Sequence, residues 1–201
     1  MKLLRAADRT AVAWKNGGGV TREIAGGPEG AGMTDFLWRV SLANVAADGP
    51  FSVFPGVDRI LTMVEGMGMD LTLEDPGTGD VPGPGTRLVD TRYVPQHFPG
   101  DVPTHCRLLN GTVVNLNVMH RRGRASAQVE VVRGDVTITA PEQGTRIALP
   151  LDGRVVLYRH VASTLERYDA VLFAGVDPAS YDPPGTFLTT GRTAVITLHH
   201  D

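Results

Sequence analysis

Turn-forming residues interrupt this chain at short and regular intervals, and that spacing limits the folds it can adopt. Glycine occurs 24 times and proline 14 times among 201 residues. Turn signals separate short apolar or alternating segments about every 8–12 residues, and segments with helical periodicity are scarce. This pattern is typical of β-sandwiches and β-barrels, so the sequence predicts an all-β fold.

The period-two alternation of apolar and polar residues identifies the predicted strands. They cover residues 36–42, 51–54, 58–65, 69–74, 87–94, 113–119, 126–133, 136–140, 146–149, 155–160, 165–173 and 193–199. A turn is predicted at 97–101, a Pro/Gly loop at 75–85, and a helical turn within 8–12 and after residue 177.

Charge and cysteine content exclude several classes of protein. The net charge is −3 and no basic block is present, which argues against nucleic-acid binding. The single cysteine, Cys106, cannot form an intramolecular disulfide and fits the reducing cytoplasm. The N-terminus lacks a signal-peptide pattern, and no apolar run has the length of a membrane helix, so we expect a cytoplasmic protein without membrane contact.

Three consecutive glycines, Gly17 to Gly19, follow Asn16 and precede an alternating run. Glycine accepts positive φ and allows close approach of backbone or ligand. The stretch is therefore either a tight turn at the mouth of a site or a flexible hairpin loop. It is not a Rossmann or phosphate-binding signature, because no helical pattern follows and the glycines are contiguous.

Three predicted strands carry polar residues two positions apart, which places each pair on one face: Thr21 with Glu23, Arg39 with Ser41, and Asn115 with Asn117. An ordinary solvent-facing surface would explain any one pair. Asparagine is uncommon in strands, however, and buried amides need hydrogen-bond partners. The two asparagines therefore favour an enclosed polar face, as in a barrel that holds one hydrated ligand.

Arginine side chains on these strands suggest the charge of that ligand. Arg39 and Arg59 are expected to bind carboxylates through the bidentate guanidinium fork. The alternative for each is a salt bridge to Glu23, Asp58 or Glu65, which is at least as common in proteins.

Metal and nucleophile signals are weak. The histidines show neither H-x-H nor H-E-x-x-H spacing, so we expect no metal site, and Cys106 is expected to be a packed thiol. The pair His199-His200 is predicted to be a frayed tail. His97 and Asp101 could perform acid–base chemistry, although a histidine beside Pro-Gly is more often a turn residue.

The chain resembles the HutD/Ves family in five motifs that occur in order between residues 10 and 124. They are WKNGGGVTRE at 14–23, WRVS at 38–41, GPFSVFPGVDR at 49–59, FPGD at 98–101, and NLNVM at 115–119 followed by Arg121-Arg122. The resemblance implies an RmlC-like jelly-roll bicupin with two barrel or sandwich halves, residues 1–124 and 125–201. It also implies an association with bacterial histidine utilisation.

The cupin comparison implies a metal-free pocket without a cofactor. The paired histidines of metal-binding cupins are missing, and Glu65 alone would not hold a transition metal. Asn115 stands where the family usually has Asp, which removes a charge and a general base from the lining.

The leading hypothesis is a protein that binds a small anionic metabolite of histidine degradation, such as formylglutamate, formiminoglutamate or urocanate, in a regulatory or buffering role. The expected ligand-binding residues are Asn16, Gly17, Gly18, Thr21, Glu23, Arg39, Ser41, Arg59, Asn115 and Asn117. Edge strands make a homodimer plausible.

Two alternatives remain open. One is a metal-independent isomerase or hydrolase that uses His97, Asp101 or Glu23 as acid and base. The other is a structural or partner-binding protein, which predicts a fully packed barrel and an exposed apolar patch.

Overall fold

The structure is a computed structural model that describes residues 1–74, 85–175 and 183–200. Its architecture consists of β-strands connected by turns. Within those ranges there is one 3-10 helix, Ala6–Asp8, and no helix long and apolar enough to cross a membrane. The first eleven strands are β1 Lys2–Leu4, β2 Ala11–Ala13, β3 Gly19–Gly27, β4 Trp38–Val45, β5 Gly49–Phe51, β6 Val57–Glu65, β7 Met69–Leu73, β8 Gly85–Val89, β9 Pro95–Pro99, β10 Thr104–Leu108 and β11 Val113–Arg121. The remaining eight are β12 Ala125–Arg133, β13 Val136–Ile138, β14 Thr145–Asp152, β15 Val155–Tyr158, β16 Ala162–Leu165, β17 Ala170–Ala174, β18 Gly185–Leu188 and β19 Arg192–His200.

The all-β prediction is confirmed, with local corrections. The predicted turn at 97–101 is wrong at its start, because Pro95–Pro99 forms strand β9. The predicted tail His199-His200 is also wrong, since both residues pair with β12. The predicted helical turn lies at Ala6–Asp8 rather than within 8–12. The predicted loop at 75–84 and the segment 176–182 lie outside the described residues.

Residues Thr10–Arg122 form one compact unit. Its six-stranded sheet has the order β2-β3-β4-β11-β6-β9, and its four-stranded sheet has the order β5-β10-β7-β8. Apolar side chains from both sheets form a common core that includes Leu61 and Met63 of the larger sheet and Leu71 and Cys106 of the smaller. The unit is therefore a sandwich whose interior faces are defined by these four residues.

The second compact unit combines Met1–Arg9 with Gly123–Asp201. Its sheets have the orders β1-β17-β14-β19-β12 and β13-β18-β15-β16. Ala148, Val171 and Phe187 belong to its core. The sequence prediction places the first nine residues in the first half. In the structure these residues belong to the second unit, where strand β1 pairs with β17.

The two units repeat one pattern of strand pairing. In the first unit β11 lies between β4 and β6, and β9 follows β6. In the second unit β19 lies between β12 and β14, and β17 follows β14. The smaller sheets repeat in the same way, as β5-β10-β7-β8 and β13-β18-β15-β16. Each unit therefore contains the same eight-stranded motif, to which β2 and β3 are added in the first unit and β1 in the second.

Asp169 holds the N-terminal segment in the second unit. Its buried carboxylate accepts hydrogen bonds from the Arg5 guanidinium at 2.7 Å and from the backbone N–H groups of Ala6 at 2.7 Å and Glu166 at 3.0 Å. Burial by itself raises the pKa of Asp169, but these hydrogen bonds together keep that pKa below its ordinary value. The segment is therefore an integral part of this unit.

Candidate functional site

The polar residues singled out in the sequence lie in three adjacent rows across the larger sheet of the Thr10–Arg122 unit. In the first row, Ser41 pairs with Glu23 on one side and Asn117 on the other. In the second row, Ala43 pairs with Thr21 and Asn115. In the third row, Met119 pairs with Arg39 and Arg59. Leu61 and Met63 extend the first two rows and belong to the core. The polar residues therefore occupy the face of the sheet that carries the core residues Leu61 and Met63.

Arg59 is the buried cation of this face. Its guanidinium carbon lies 5.1 Å from the ring centres of both Phe51 and Phe98. Its Nε and one terminal nitrogen donate to Asn117 Oδ1 at 3.3 and 3.2 Å. Among the described residues no carboxylate forms an ion pair with it, so the predicted alternative of a salt bridge does not apply to Arg59.

Burial lowers the pKa of Arg59 to about 10, which still leaves the side chain protonated at neutral pH. A buried charge is costly unless an opposite charge or several hydrogen bonds compensate it. Arg59 has two aromatic faces and one neutral acceptor. The arrangement is suited to receive an anion.

Arg39 differs from Arg59 in having a carboxylate partner. Its Nε donates to Glu23 Oε2 at 2.6 Å, with the Arg39 side chain 15% exposed and that of Glu23 50% exposed. For Arg39 the salt-bridge alternative is therefore what the structure contains. The pair lies at the exposed rim of the polar face, whereas Arg59 lies inside.

Asn115 and Ser41 are almost completely buried, each with 1% of its surface exposed. Neither amide atom of Asn115 has a hydrogen-bond partner, and the same is true of Ser41 Oγ. An unpaired buried polar group costs about 1–3 kcal/mol. A bound ligand or water with both donor and acceptor groups would remove this cost, so these atoms add to the binding capacity of the site.

The glycine turn at residues 17–19 is explained by the β2–β3 hairpin. Asn16 Oδ1 accepts the Gly18 N–H at 3.1 Å, and Gly17 has a φ of +71°. The Asn16 side-chain nitrogen lies 3.5 Å from the Pro50 carbonyl oxygen. The hairpin-loop interpretation fits Asn16, Gly17 and Gly18, whose polar groups serve the local structure.

Trp14 connects this hairpin to the buried arginine. Its indole N–H donates to Thr21 Oγ1 at 2.8 Å, and its ring meets that of Phe51 edge-on at 6.1 Å. Phe51 in turn covers Arg59. Trp14, Phe51 and Phe98 were not predicted to belong to the site, although each lies within one of the motifs at 14–23, 49–59 and 98–101.

The three proposed acid–base residues do not come together. Glu23 is held at the rim in its ion pair, and His97 is exposed at a register position one residue out of phase with Phe98. Asp101 forms an ion pair with Arg122 at 3.1 Å, and the hydrogen bond from Arg122 is the main reason that the pKa of Asp101 is lowered. These three residues therefore do not form a common acid–base site in the described part of the chain.

Side chains suited to metals and nucleophilic chemistry are equally dispersed. No group of three or more His, Cys, Asp or Glu side chains that could hold a metal ion occurs in the described part of the chain. Cys106 is buried against Met69, with a sulfur–sulfur distance of 3.6 Å. Burial raises the pKa of the Cys106 thiol to about 12, so the thiol is unreactive at neutral pH.

The sequence is similar to that of several bacterial proteins. A model of the HutD family matches residues 6–188. An uncharacterised 21.2 kDa protein in the hutC 3′ region of Pseudomonas putida is 34% identical over 65% of this chain. Protein Ves is 38% identical over 59% of this chain in Citrobacter koseri, and 36% identical over 70% of both chains in Cronobacter sakazakii. The match spans 63% of the length of the Pseudomonas putida protein and 56% of that of Citrobacter koseri Ves.

Solved structures resemble the chain over its whole length. A conserved protein of unknown function from Pseudomonas aeruginosa PAO1 has a TM-score of 0.81 and 26% identity, with 98% of each chain covered. HutD from Pseudomonas fluorescens SBW25, solved in a formate condition, has a TM-score of 0.79 and 28% identity, covering 100% of this chain and 98% of that one. Vicilin from Capsicum annuum, at 9% identity and a TM-score of 0.60, covers 99% of this chain and 86% of its own and shares only the fold. The expected bicupin fold is confirmed.

Proposed function

This chain belongs to the HutD family, and from that premise we propose that it binds a small carboxylate metabolite of histidine degradation in its Thr10–Arg122 unit, in a regulatory or buffering role. The observation that carries the proposal is Arg59, a buried guanidinium with no carboxylate partner among the described residues. We further propose the cytoplasm as its compartment, which suits the free thiol of Cys106.

A carboxylate is the group that this environment fits best. The guanidinium fork binds carboxylates bidentately, and the two phenylalanine rings exclude water, which strengthens the electrostatic attraction. Arg39 lies two strands away from Arg59 in the same row, a separation of about 10 Å between backbones. Two arginines at the ends of one row favour a ligand with two carboxylates.

Asn115 favours one group of ligands over another. Its side chain offers a neutral donor and a neutral acceptor, both without partners in the described structure. A neutral amide complements an N-acyl group, which also has one donor and one acceptor. A cationic amidine would instead be favoured by a carboxylate at this position. Formylglutamate, with two carboxylates and a formyl amide, is therefore the preferred candidate over formiminoglutamate and urocanate.

The Arg59→Met variant tests the proposal. We expect its affinity for formylglutamate, measured by isothermal titration calorimetry, to fall by roughly 100-fold because the charge partner is lost. We also expect its free energy of unfolding to stay close to that of the wild type, since removal of the buried charge offsets the cost of leaving Asn117 Oδ1 without a donor. Loss of binding without loss of stability distinguishes a binding residue from a structural one.

Arg22→Met is the matched control for this experiment. Arg22 lies on β3 of the same sheet, is exposed, and pairs in register with Leu42, outside the rows of polar residues. The control makes the same change in net charge, so we expect it to bind like the wild type. Equal affinities for the wild type and Arg59→Met would contradict the proposal.

Glu23→Gln should have the opposite effect on binding. Glu23 occupies the guanidinium of Arg39 in the protein without ligand, so a ligand carboxylate must compete with it. The Glu23 side chain is half exposed, and such a solvent-accessible pair is worth about 0.2–1 kcal/mol. We therefore expect Glu23→Gln to tighten formylglutamate binding by about two- to fivefold in the same titration. Weaker binding by this variant would mean that Glu23 contacts the ligand directly.

A further inference from the structure

The internal repeat places a second arginine at the position of Arg59. In each unit the pairing of the two central strands contains one irregularity, which leaves out Val64 on β6 and Leu151 on β14. Arg59 lies five residues before Val64, and Arg146 lies five residues before Leu151, so the two arginines occupy equivalent positions on their strands. Each also pairs with a phenylalanine on the next strand, Phe98 for Arg59 and Phe173 for Arg146.

Arg146 lies on the interior face of its unit. It is two residues before Ala148, a core residue, and Phe173 opposite it is completely buried. Its Nε donates to Thr197 Oγ1 at 3.3 Å. One terminal nitrogen donates to the carbonyl and hydroxyl oxygens of Thr139 at 3.1 and 3.2 Å. All these acceptors are neutral, and no described carboxylate forms an ion pair with Arg146.

Thr193 repeats a second feature of the first unit, at a position four residues along β19 from Thr197, the register partner of Arg146. Thr193 is the first paired residue of β19 after the irregularity in its pairing with β14. Asn115 holds the same position on β11, directly after the irregularity in its pairing with β6. Thr193 is completely buried and its Oγ1 has no hydrogen-bond partner, as is the case for the amide of Asn115. The second unit therefore repeats two features of the first: an arginine without a described carboxylate partner, and a buried polar side chain without a hydrogen-bond partner.

We propose that the second unit has its own anion site, in which Arg146 binds a single carboxylate at the end of the β14–β19 pair. The remaining positions differ from those of the first unit. Val195 takes the place of Asn117, and Glu130 takes the place of Ser41. Arg146 is also half-buried, whereas Arg59 is buried. The second site is consequently weaker and takes one carboxylate rather than two.

The test follows the arginine Nε–H signals of the full chain by nitrogen-15 NMR while sodium formate is added, with sodium chloride at equal ionic strength as the reference. We expect the Arg59 and Arg146 signals to shift in separate saturating steps. The Arg146 step should require about tenfold more formate, because solvent weakens the interaction of a half-exposed charge. The signals are assigned from Arg59→Met and Arg146→Gln.

Arg146→Gln should remove the weaker step and leave the Arg59 step unchanged. Arg154→Gln is the control, since Arg154 is exposed in the same unit, and should leave both steps unchanged. An Arg146 signal that formate does not move, or that chloride moves equally, overturns the second site. If Arg146→Gln does not fold, Arg146→Lys supplies the assignment, because it removes the same Nε–H signal and keeps the charge. Because Arg59 reports separately, failure of the second site and failure of the proposed function are distinguishable.

Discussion

Asp169→Ala is expected to lower the free energy of unfolding by about 3 kcal/mol or more. The Asp169 side chain is only 3% exposed and accepts three hydrogen bonds, two of them from backbone N–H groups. Alanine leaves the Ala6 and Glu166 N–H groups without an acceptor, and each unsatisfied group costs about 1–3 kcal/mol. Urea unfolding monitored by circular dichroism measures the change.

Asp58→Ala is the control for this prediction. Asp58 forms an ion pair with Arg122, and the two side chains are 35% and 49% exposed, respectively. Such surface pairs contribute about 0–1 kcal/mol. If Asp169→Ala destabilised the protein no more than Asp58→Ala does, the anchoring role of Asp169 would be wrong.

The contribution of Asp169 should depend on pH in one direction. Its pKa in the folded protein lies below the ordinary value, so ionised Asp169 stabilises the fold above the pKa of the unfolded chain, about 4. This stabilisation is lost as the pH falls through the lowered folded value. The difference in stability between wild type and Asp169→Asn should therefore be constant above about pH 5 and shrink below about pH 4.

Gly19→Ala should destabilise the Thr10–Arg122 unit by about 3 kcal/mol, at the upper end of the range for added atoms in packed sites. A Cβ at Gly19 would collide with the Asn44 carbonyl oxygen and lie 3.3 Å from the Trp14 ring. The carbonyl belongs to strand β4, which is held in the sheet on both sides, so it cannot move away easily. Thermal unfolding measures the loss.

Gly17→Ala, two residues earlier in the same turn, is the matched control. A Cβ at Gly17 has nothing within 4 Å, but its φ of +71° is unfavourable for alanine. That conformation costs roughly 1–2 kcal/mol. A larger loss for Gly17→Ala than for Gly19→Ala would show that backbone conformation, and not the close approach of β4, limits this hairpin.

Strand periodicity is a strong constraint, and most of the first unit could be predicted from it. The alternation predicts strands at 36–42 and 113–119, and the faces of Arg39, Ser41, Asn115 and Asn117 follow from their parity alone. The sequence predicts a turn in place of strand β9 because prolines occupy both ends of that strand. It lies at the edge of its sheet, where a strand tolerates proline.

Pairing between strands cannot be read from parity. The register shift between Glu23 and Ala25 sets which residues of β3 lie opposite those of β4, and in that register Glu23 forms an ion pair with Arg39. The packing of Arg59 between two phenylalanines joins strands β5 and β6 to β9, in which Phe98 lies 39 residues beyond Arg59. Sequence patterns could therefore identify the polar face but not divide its arginines into a paired and an unpaired one.

The pairing of β1 with β17 affects how the chain can fold during synthesis. Residues Thr10–Arg122 are contiguous, so that unit can be complete once the ribosome has passed them. The other unit needs Leu4 to pair with Ala170, so residues translated before the Thr10–Arg122 unit must wait for residues translated after it. Substitutions within residues 1–9 should therefore disturb the folding of residues 123–200 more than that of the adjacent Thr10–Arg122 unit.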